Sequence, residues 1–424
     1  MKLGAVATLA ADPFVASRDV LLDTDHVAER LRHLLGDDAV DIEHCRLRRV
    51  KYRVGESLRV VYDVGLAGRD VVMSARTFAN SHAAFISAAQ PAVAHERLTA
   101  VAHDPETSSV WWIVPNDRKL RNMAALLDAP PRVRNVSGVA WDRSALVEYS
   151  PERSATARVL DARGGVVGFA KAYCDRDVLD IAAHYNRVAT ALAPIGVRTP
   201  QAIGCAGADR IVVLEPMPGV AWTALAVDDQ QVAMRRFGAS IGHVHGLRME
   251  VGLGPFQRYH LAHVANSADI VGRARPDVAA AAQHLRNRLS CGPPNTSAPV
   301  YLHGDVHADN ALFDGDQVHL IDFDQAGSGA AAADLGSMIA SLMTRRLIGS
   351  EFGSDGLGAA LLDGYRSVRA LPEIGELRWY IAAALVVERS IRAVNRMYVP
   401  TLAVLAELIE LAEATLDGTL DVDG

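Results

Sequence analysis

Two stretches of this 424-residue chain carry residue types whose spacing can do chemistry. The first is VYLHGDVHADNALF, residues 300–313, and the second is VHLIDFDQAG, residues 318–327. Asn310 follows five positions after Asp305, and Asp322 and Asp324 alternate in IDFD. All four side chains present oxygen, the donor that hard cations and hydroxyl groups take. Two bare carboxylates about 4 Å apart repel by roughly 4 kcal/mol at an effective dielectric near 20. Three aspartates and an asparagine gathered in one place are therefore costly unless a divalent cation or shared protons compensate. Mg2+, held by one or two protein oxygens and completed by phosphates and water, fits that need.

The elements that must position these groups surround them. Within a β-rich island over 299–324, a strand delivers His303-Gly304-Asp305, and a β hairpin turned at Asp314-Gly315-Asp316 leads to Ile321-Asp322-Phe323-Asp324. Upstream, Val166–Tyr173 reads as a strand carrying Lys171, followed by a helix over 178–192 and a strand Ile211–Leu214 that runs into Glu215-Pro216-Met217. Beyond Pro218 helical segments dominate, near 226–247, 277–289, 357–369, 376–396 and 400–415. Strands first and helices later predict an α+β chain with a small β-rich lobe and a larger helical lobe.

HGD-x4-N followed by IDFD resembles the signature of the aminoglycoside phosphotransferase/choline kinase group of small-molecule kinases. The resemblance implies a bilobal protein-kinase-like fold, ATP as co-substrate and Mg2+ as the metal. It implies that Asp305 is the catalytic base, that Asn310 and Asp322 bind Mg2+, and that His303 braces the loop. Lys171 falls where the family's ATP-binding lysine belongs, and Glu215-Pro216-Met217 resembles the hinge that takes adenine. The helix FGASIGHVHGL, 237–247, resembles the one that supports the catalytic loop, with His245 structural, and Asp334 matches a structural aspartate. Two features depart from the pattern. SPERSAT, 150–156, has no glycine-rich clamp, so Arg153, Ser154 or backbone N–H groups are expected to touch phosphate. The helix after Lys171 has no Glu, which leaves Asp177 or Asp180 as substitutes for the usual partner, or phosphate alone to hold Lys171.

The order hairpin, strand, helix, hairpin occurs twice, over 46–115 and 145–216. Tyr52 can be set against Tyr149, Ser57 against Ser154, SARTF (74–78) against FAKAY (169–173) and WWIVPND (111–117) against VVLEPMPG (212–219). In this alignment Arg76 stands where Lys171 stands. The expected organisation is an N-terminal α/β cap over 1–140, a degenerate copy of the lobe that follows it; an ATP-binding lobe over 141–219; and a helical lobe over 220–424 with the catalytic loop and acceptor site. Within the cap, residues 21–36 read as an amphipathic helix capped by Thr24 or Asp25, with a further helical stretch near 81–90.

Composition narrows the classes. Forty-three Lys and Arg against 50 Asp and Glu give a net charge of −7, a poor balance for gripping nucleic acid. Four scattered cysteines without a CxxC form neither a disulfide framework nor a zinc site. No apolar run approaches the ~20 residues of a membrane span, so a cytoplasmic protein is expected.

For the acceptor, Asp324, Tyr365, Trp379 and Glu388 are candidate contacts, with Asp363, Tyr380 and Arg389 nearby in sequence. The extra N-terminal region resembles the capped arrangement of actinobacterial maltokinases and glucosamine kinases, which points to a sugar or amino sugar, with antibiotic O-phosphorylation as the alternative. Two readings from other classes stand beside these: a metal-dependent hydrolase built on His303-x-Asp305-x-His307, and a pseudokinase binding module.

Overall fold

The computed structural model describes residues 9–35, 42–66, 68–79, 102–135, 138–248, 256–350 and 356–419. The helical stretch expected near 81–90 lies outside the described residues. The chain divides into two compact units, one formed by Met1–Ala183, Gln201–Pro216 and Asn395–Met397, the other by His184–Pro200, Met217–Val394 and Tyr398–Gly424.

The first unit holds two five-stranded antiparallel sheets. Strands β1 (Ile42–Arg53), β2 (Ser57–Leu66), β3 (Arg69–Phe78), β4 (Ala102–Asp104) and β5 (Ser109–Ile113) lie in the order β1-β2-β3-β5-β4. Strands β6 (Arg143–Ser150), β7 (Ser154–Leu160), β8 (Val166–Tyr173), β9 (Ala202–Ala206) and β10 (Ile211–Leu214) lie in the order β6-β7-β8-β10-β9, the same topology. The pairing registers agree as well. Tyr52 pairs with Leu58 as Tyr149 pairs with Ala155, and Ser57 pairs with Phe78 as Ser154 pairs with Tyr173. Arg76 lies between Arg59 and Val110 as Lys171 lies between Thr156 and Val212. One alignment shifts: Trp111 pairs with Ala75 as Val213 pairs with Ala170, so Trp111 is equivalent to Val213 and not to Val212. In a strand one residue of slip turns each side chain to the opposite face.

The likeness extends to side chains. The Tyr52 hydroxyl donates to Asp12 Oδ2 at 2.6 Å and the Gly55 N–H donates to the same oxygen at 2.7 Å. The Tyr149 hydroxyl donates to Asp117 Oδ2 at 2.6 Å and the Glu152 N–H to that oxygen at 2.7 Å. Each aspartate's Oδ1 accepts the N–H groups two and three residues on, Phe14 and Val15 in one case, Lys119 and Leu120 in the other. A short helix follows each, Arg18–Leu22 and Met123–Asp128. The second of these packs Met123 and Leu126 with Trp141, Tyr149, Ala157, Ala170 and Val213, and Val61 of the first sheet joins the same core. The helix Thr24–Leu35 buries Val27 and Leu31. Its first turn is capped by Asp23, one residue ahead of the expected caps, which accepts the N–H groups of Asp25 and His26.

The second unit is mainly helical. Its helices include Val227–His245, Leu261–Ala274, Ala279–Leu289, Ala331–Leu347, Leu357–Arg366, Ile374–Ala384 and Leu405–Asp417, and a π-helical turn, Leu385–Ser390, follows the sixth. Strands β11 (Val220–Ala221), β13 (Ala311–Asp314) and β14 (Gln317–Leu320) form one small sheet, and β12 (Val300–Leu302) pairs with β15 (Gly327–Gly329). This is the expected α+β class, β-rich before helical. Among the described residues no helix is long and apolar enough to cross a membrane.

Candidate active site

Strand β12 ends in the tight turn that carries Asp305. Gly304 has φ +82°, and a Cβ there would stand 2.0 Å from the Gln325 carbonyl oxygen, so only glycine lets the two loops touch. Asp334, in the first turn of Ala331–Leu347, accepts the N–H groups of His303 at 2.8 Å and Gly304 at 3.0 Å. His245 Nε2 lies 3.1 Å from the same carboxylate, which only accepts, so this nitrogen donates to it, and Nδ1 lies 3.0 Å from the Tyr365 hydroxyl. Asp334 and His245 are both buried and so hold the loop from beneath, the structural roles expected for them.

His303 ties the two motifs together. Its Nε2–H donates to the Ile321 carbonyl at 2.9 Å, and its Nδ1 accepts the Asp305 N–H at 3.3 Å. Burial keeps the imidazole neutral by lowering its pKa, against the pull of Asp334 and Asp305. With both nitrogens committed, His303 has no lone pair for a metal. Among the described residues no group of three His, Cys, Asp or Glu is placed to hold a metal ion. The hydrolase built on His303 and His307 therefore lacks its ligand set.

Asn310 donates through Nδ2 to the Asp305 carbonyl at 2.9 Å, and its own carbonyl accepts the Ile321 N–H at 2.9 Å. Because Ala311 pairs with Leu320, Asn310 and Ile321 leave the β13–β14 hairpin side by side, and Asp322 follows in the left-handed region at φ +65°. An amide oxygen and a carboxylate at the mouth of one hairpin are hard donors of the kind Mg2+ takes in ones and twos. Asp324 accepts a hydrogen bond from the Tyr185 hydroxyl at 2.9 Å.

The Asp305 carboxylate sits among cations. Arg258 lies 3.2 Å from Oδ1, Arg392 3.5 Å from Oδ1, and His307 3.7 Å from Oδ2. Burial alone would raise its pKa; His307, Arg258 and Arg392 overcome that and hold it far below the usual carboxylate range. His307 is raised in turn: burial opposes its charge, but Asp305 and Asp309 sustain it. Beneath lies Glu388, 2% exposed, bonded to Arg258 at 3.1 Å, to the Ser337 hydroxyl at 2.9 Å and to the Tyr259 hydroxyl. Burial pushes against its charge, yet Arg258, Arg389 and Arg392 hold it at about 2. Three guanidinium groups thus share two carboxylates, Asp305 and Glu388.

The other expected site residues fall in both units. Lys171, Ser154, Arg153 and Glu215 are in the first unit and Met217 in the second. Ser154 closes the β6–β7 turn opposite Ser150, and Glu215 exchanges hydrogen bonds with Gln201. Asp177 caps the helix Val178–Leu192 through the Leu179 N–H, and Asp180 is exposed. Two acceptor candidates are corrected. Tyr365 has no exposed surface and bonds His245, and Trp379 is 3% exposed with its indole N–H on the Leu289 carbonyl. Both belong to the helical core and cannot meet an acceptor. Glu388 is buried too and acts on Asp305 through its arginines. Sequence reading missed Arg258 and Arg392, although Arg392 stands four residues after Glu388, the spacing of one helix face.

Residues 171–376 match the family model described as the phosphotransferase enzyme family. No curated protein matches the chain by sequence. Among solved structures it is similar to macrolide 2'-phosphotransferase MphH from Brachybacterium faecium, with 19% identity over 71% of this chain and 99% of that one and a TM-score of 0.42. It is similar to a choline/ethanolamine kinase family protein from Mesorhizobium loti, with 17% identity over 69% and 93% and a TM-score of 0.46. It is also similar to the amicoumacin kinase hAmiN, solved with AMP-PNP, Ca2+ and Ami, with 14% identity over 70% and 94% and a TM-score of 0.47.

Proposed function

We propose that this chain, which over residues 171–376 is of the phosphotransferase enzyme family, transfers the γ-phosphoryl group of ATP to a hydroxyl of a small neutral sugar. The observation that carries the reading is the loop in which Asp334 and His303 fix Asp305 beside Asn310 and the residues of IDFD.

Phosphoryl transfer passes through a loose transition state, so positioning and charge do most of the work. Asp305, ionised throughout the neutral range, orients the acceptor hydroxyl. As the acceptor oxygen bonds to phosphorus and the bridging oxygen leaves with ADP, the hydroxyl proton passes to the Asp305 carboxylate. Its low basicity puts that transfer late, when the alcohol oxygen has become acidic. Asn310 and Asp322 would hold Mg2+, which when bound supplies positive charge to the triphosphate. Lys171 fixes the α- and β-phosphates, with Arg153 and Ser154 at the turn and Glu215-Pro216-Met217 at the base.

The surplus guanidinium charge around Asp305 and Glu388 supports the choice of acceptor. Next to the base it disfavours an amino group at the reacting position, as in an aminoglycoside or a choline-like amine, and leaves a neutral polyol favoured. We assign 117–216 to the nucleotide lobe and 12–116 to a degenerate copy of it, each opening at its Asp-Tyr-turn motif. ADP release measured over neutral sugars, amino sugars, aminoglycosides, macrolides and choline tests the proposal. Turnover is expected on a neutral sugar, with a fall of roughly 10²–10⁴ in Asp305→Asn. Turnover on a polycationic antibiotic alone overturns the acceptor assignment. Full activity in Asp305→Asn overturns the mechanism.

A further inference from the structure

The face of the first sheet equivalent to that of Lys171 carries an unusual row of charges. Lys51 pairs directly with Arg59, and Arg59 directly with Arg76, so three cations stand opposite one another across β1, β2 and β3. Like charges in directly opposite positions destabilise a sheet. In the second sheet the same row reads Glu148, Thr156, Lys171.

Part of the first row is neutralised from within. Glu152, in the β6–β7 turn, is 4% exposed and receives Arg59 at 2.8 Å together with Arg76 and Arg118. The Lys51 end is not. Arg49 takes Glu148 at 2.7 Å, while Lys51 has no ion-pair partner among the described residues. Lys51, Arg49 and Arg59 line a small cleft together with Val61, Ser150 and Pro151. Arg153 of the same turn and Arg53 of β1 add to the positive potential there.

We propose that this cleft is an anion site for a tetrahedral oxyanion of the phosphate class, gripped by Lys51, Arg49 and Arg59, with the Ser150 hydroxyl as a further donor. The site lies on the first repeat and its seam with the β6–β7 turn, and it does not depend on the kinase reading. A phosphate group would relieve the cross-strand repulsion that Glu152 relieves at the other end. Burial and then Arg153, Arg59, Arg53 and Arg49 lower Lys51 to about 8, with Glu148 and Glu152 turned to the arginines. The grip therefore weakens above that pH as the ammonium is lost.

Thermal unfolding of the full chain at pH 7.5, with inorganic phosphate against chloride at matched ionic strength, tests the site. Phosphate is expected to raise Tm in a saturable way. In Lys51→Met the half-saturating concentration should rise at least tenfold, and in Lys171→Met it should stay as in the native chain. Arg49→Gln serves as the second variant if Lys51→Met does not fold. Glycerol 3-phosphate distinguishes the source: a stronger response than to phosphate identifies a phosphate ester, a weaker one free phosphate. With sulfate, whose charge is constant, the response should shrink from pH 7 to 9. No saturable response in the native chain, an equal response in Lys51→Met, or loss of the response in Lys171→Met alone overturns the proposal.

Discussion

The two sheets of the first unit share strand order, register and a buried Asp-Tyr-turn motif, yet they differ where charge is placed. The first presents Lys51, Arg59 and Arg76 in one row, while the second presents Glu148, Thr156 and Lys171. At the turn, Gly55 with φ +74° in the first sheet is Glu152 with φ +63° in the second. Backbone geometry is thus held by the aspartate and tyrosine, which both sheets keep, and charge is set by a few side chains on top of it. A fold that resembles a nucleotide lobe need not bind a nucleotide; the row of charges decides.

The sharpest test exchanges the equivalent cations. Lys171→Met is expected to lower kcat/KM for ATP by about 10²–10³, the scale of losing one charge-stabilising donor. Arg76→Met should instead cost stability, about 1–3 kcal/mol for a lost charged hydrogen bond. The reverse pattern breaks the comparison. Next in size are the turns. Glu152→Ala leaves three arginines without their shared carboxylate and should cost about 3–5 kcal/mol in urea denaturation. Gly55→Ala meets no atom within 4 Å, so only its left-handed backbone resists, at about 1–2 kcal/mol.

Smaller again is the tyrosine pair. Tyr149→Phe strips a buried bond from Asp117 and from the Trp112 indole, 2.7 Å away, and should cost about 1–3 kcal/mol. Tyr52→Phe should cost less, since Asp12 is half-exposed and water can replace the hydroxyl. Smallest is an acid effect. Burial would raise the Asp12 pKa, but the Tyr52 hydroxyl and the Gly55, Phe14 and Val15 N–H groups outweigh it and lower it. A depressed carboxylate stabilises the fold above its ordinary pKa, and that stability is lost as pH falls through the depressed value. Asp12→Asn should therefore show a shallower drop in urea midpoint from pH 5 to pH 3 than the native chain; an equal drop removes Asp12 from the account.

Much of this was legible in the sequence where spacing is rigid. The hairpin turns at Arg53–Ser57 and Ser150–Ser154 fix Tyr52 against Tyr149 and Arg76 against Lys171, because antiparallel register leaves no freedom between them. The fifth strand slipped by one, since Pro115 and Pro216 invited a match that the ladder does not make. Asp12 went unread because DPFV and DRKL share only their first residue, and its meaning lies in bonds to a turn some forty residues away. In the helical unit the HGD-x4-N and IDFD motifs located the loop. Tyr365 and Trp379 misled because aromatic residues on helices suit a core as well as a binding wall. Arg258 gave no signal at all: a lone arginine after Phe256-Gln257 acquires meaning only when Asp305 and Glu388 arrive beside it.

Glu152 also bears on where this protein could be cut. Of the three guanidinium groups that hold it, Arg59 and Arg76 lie before residue 117 and only Arg118 after it. A shortened chain that began at Asp117 would keep the strained turn and lose most of what tolerates the strain. The residues ahead of Asp117 are thus the counterweight of the β6–β7 turn, and a fragment without them would need glycine at position 152 before it could stand alone.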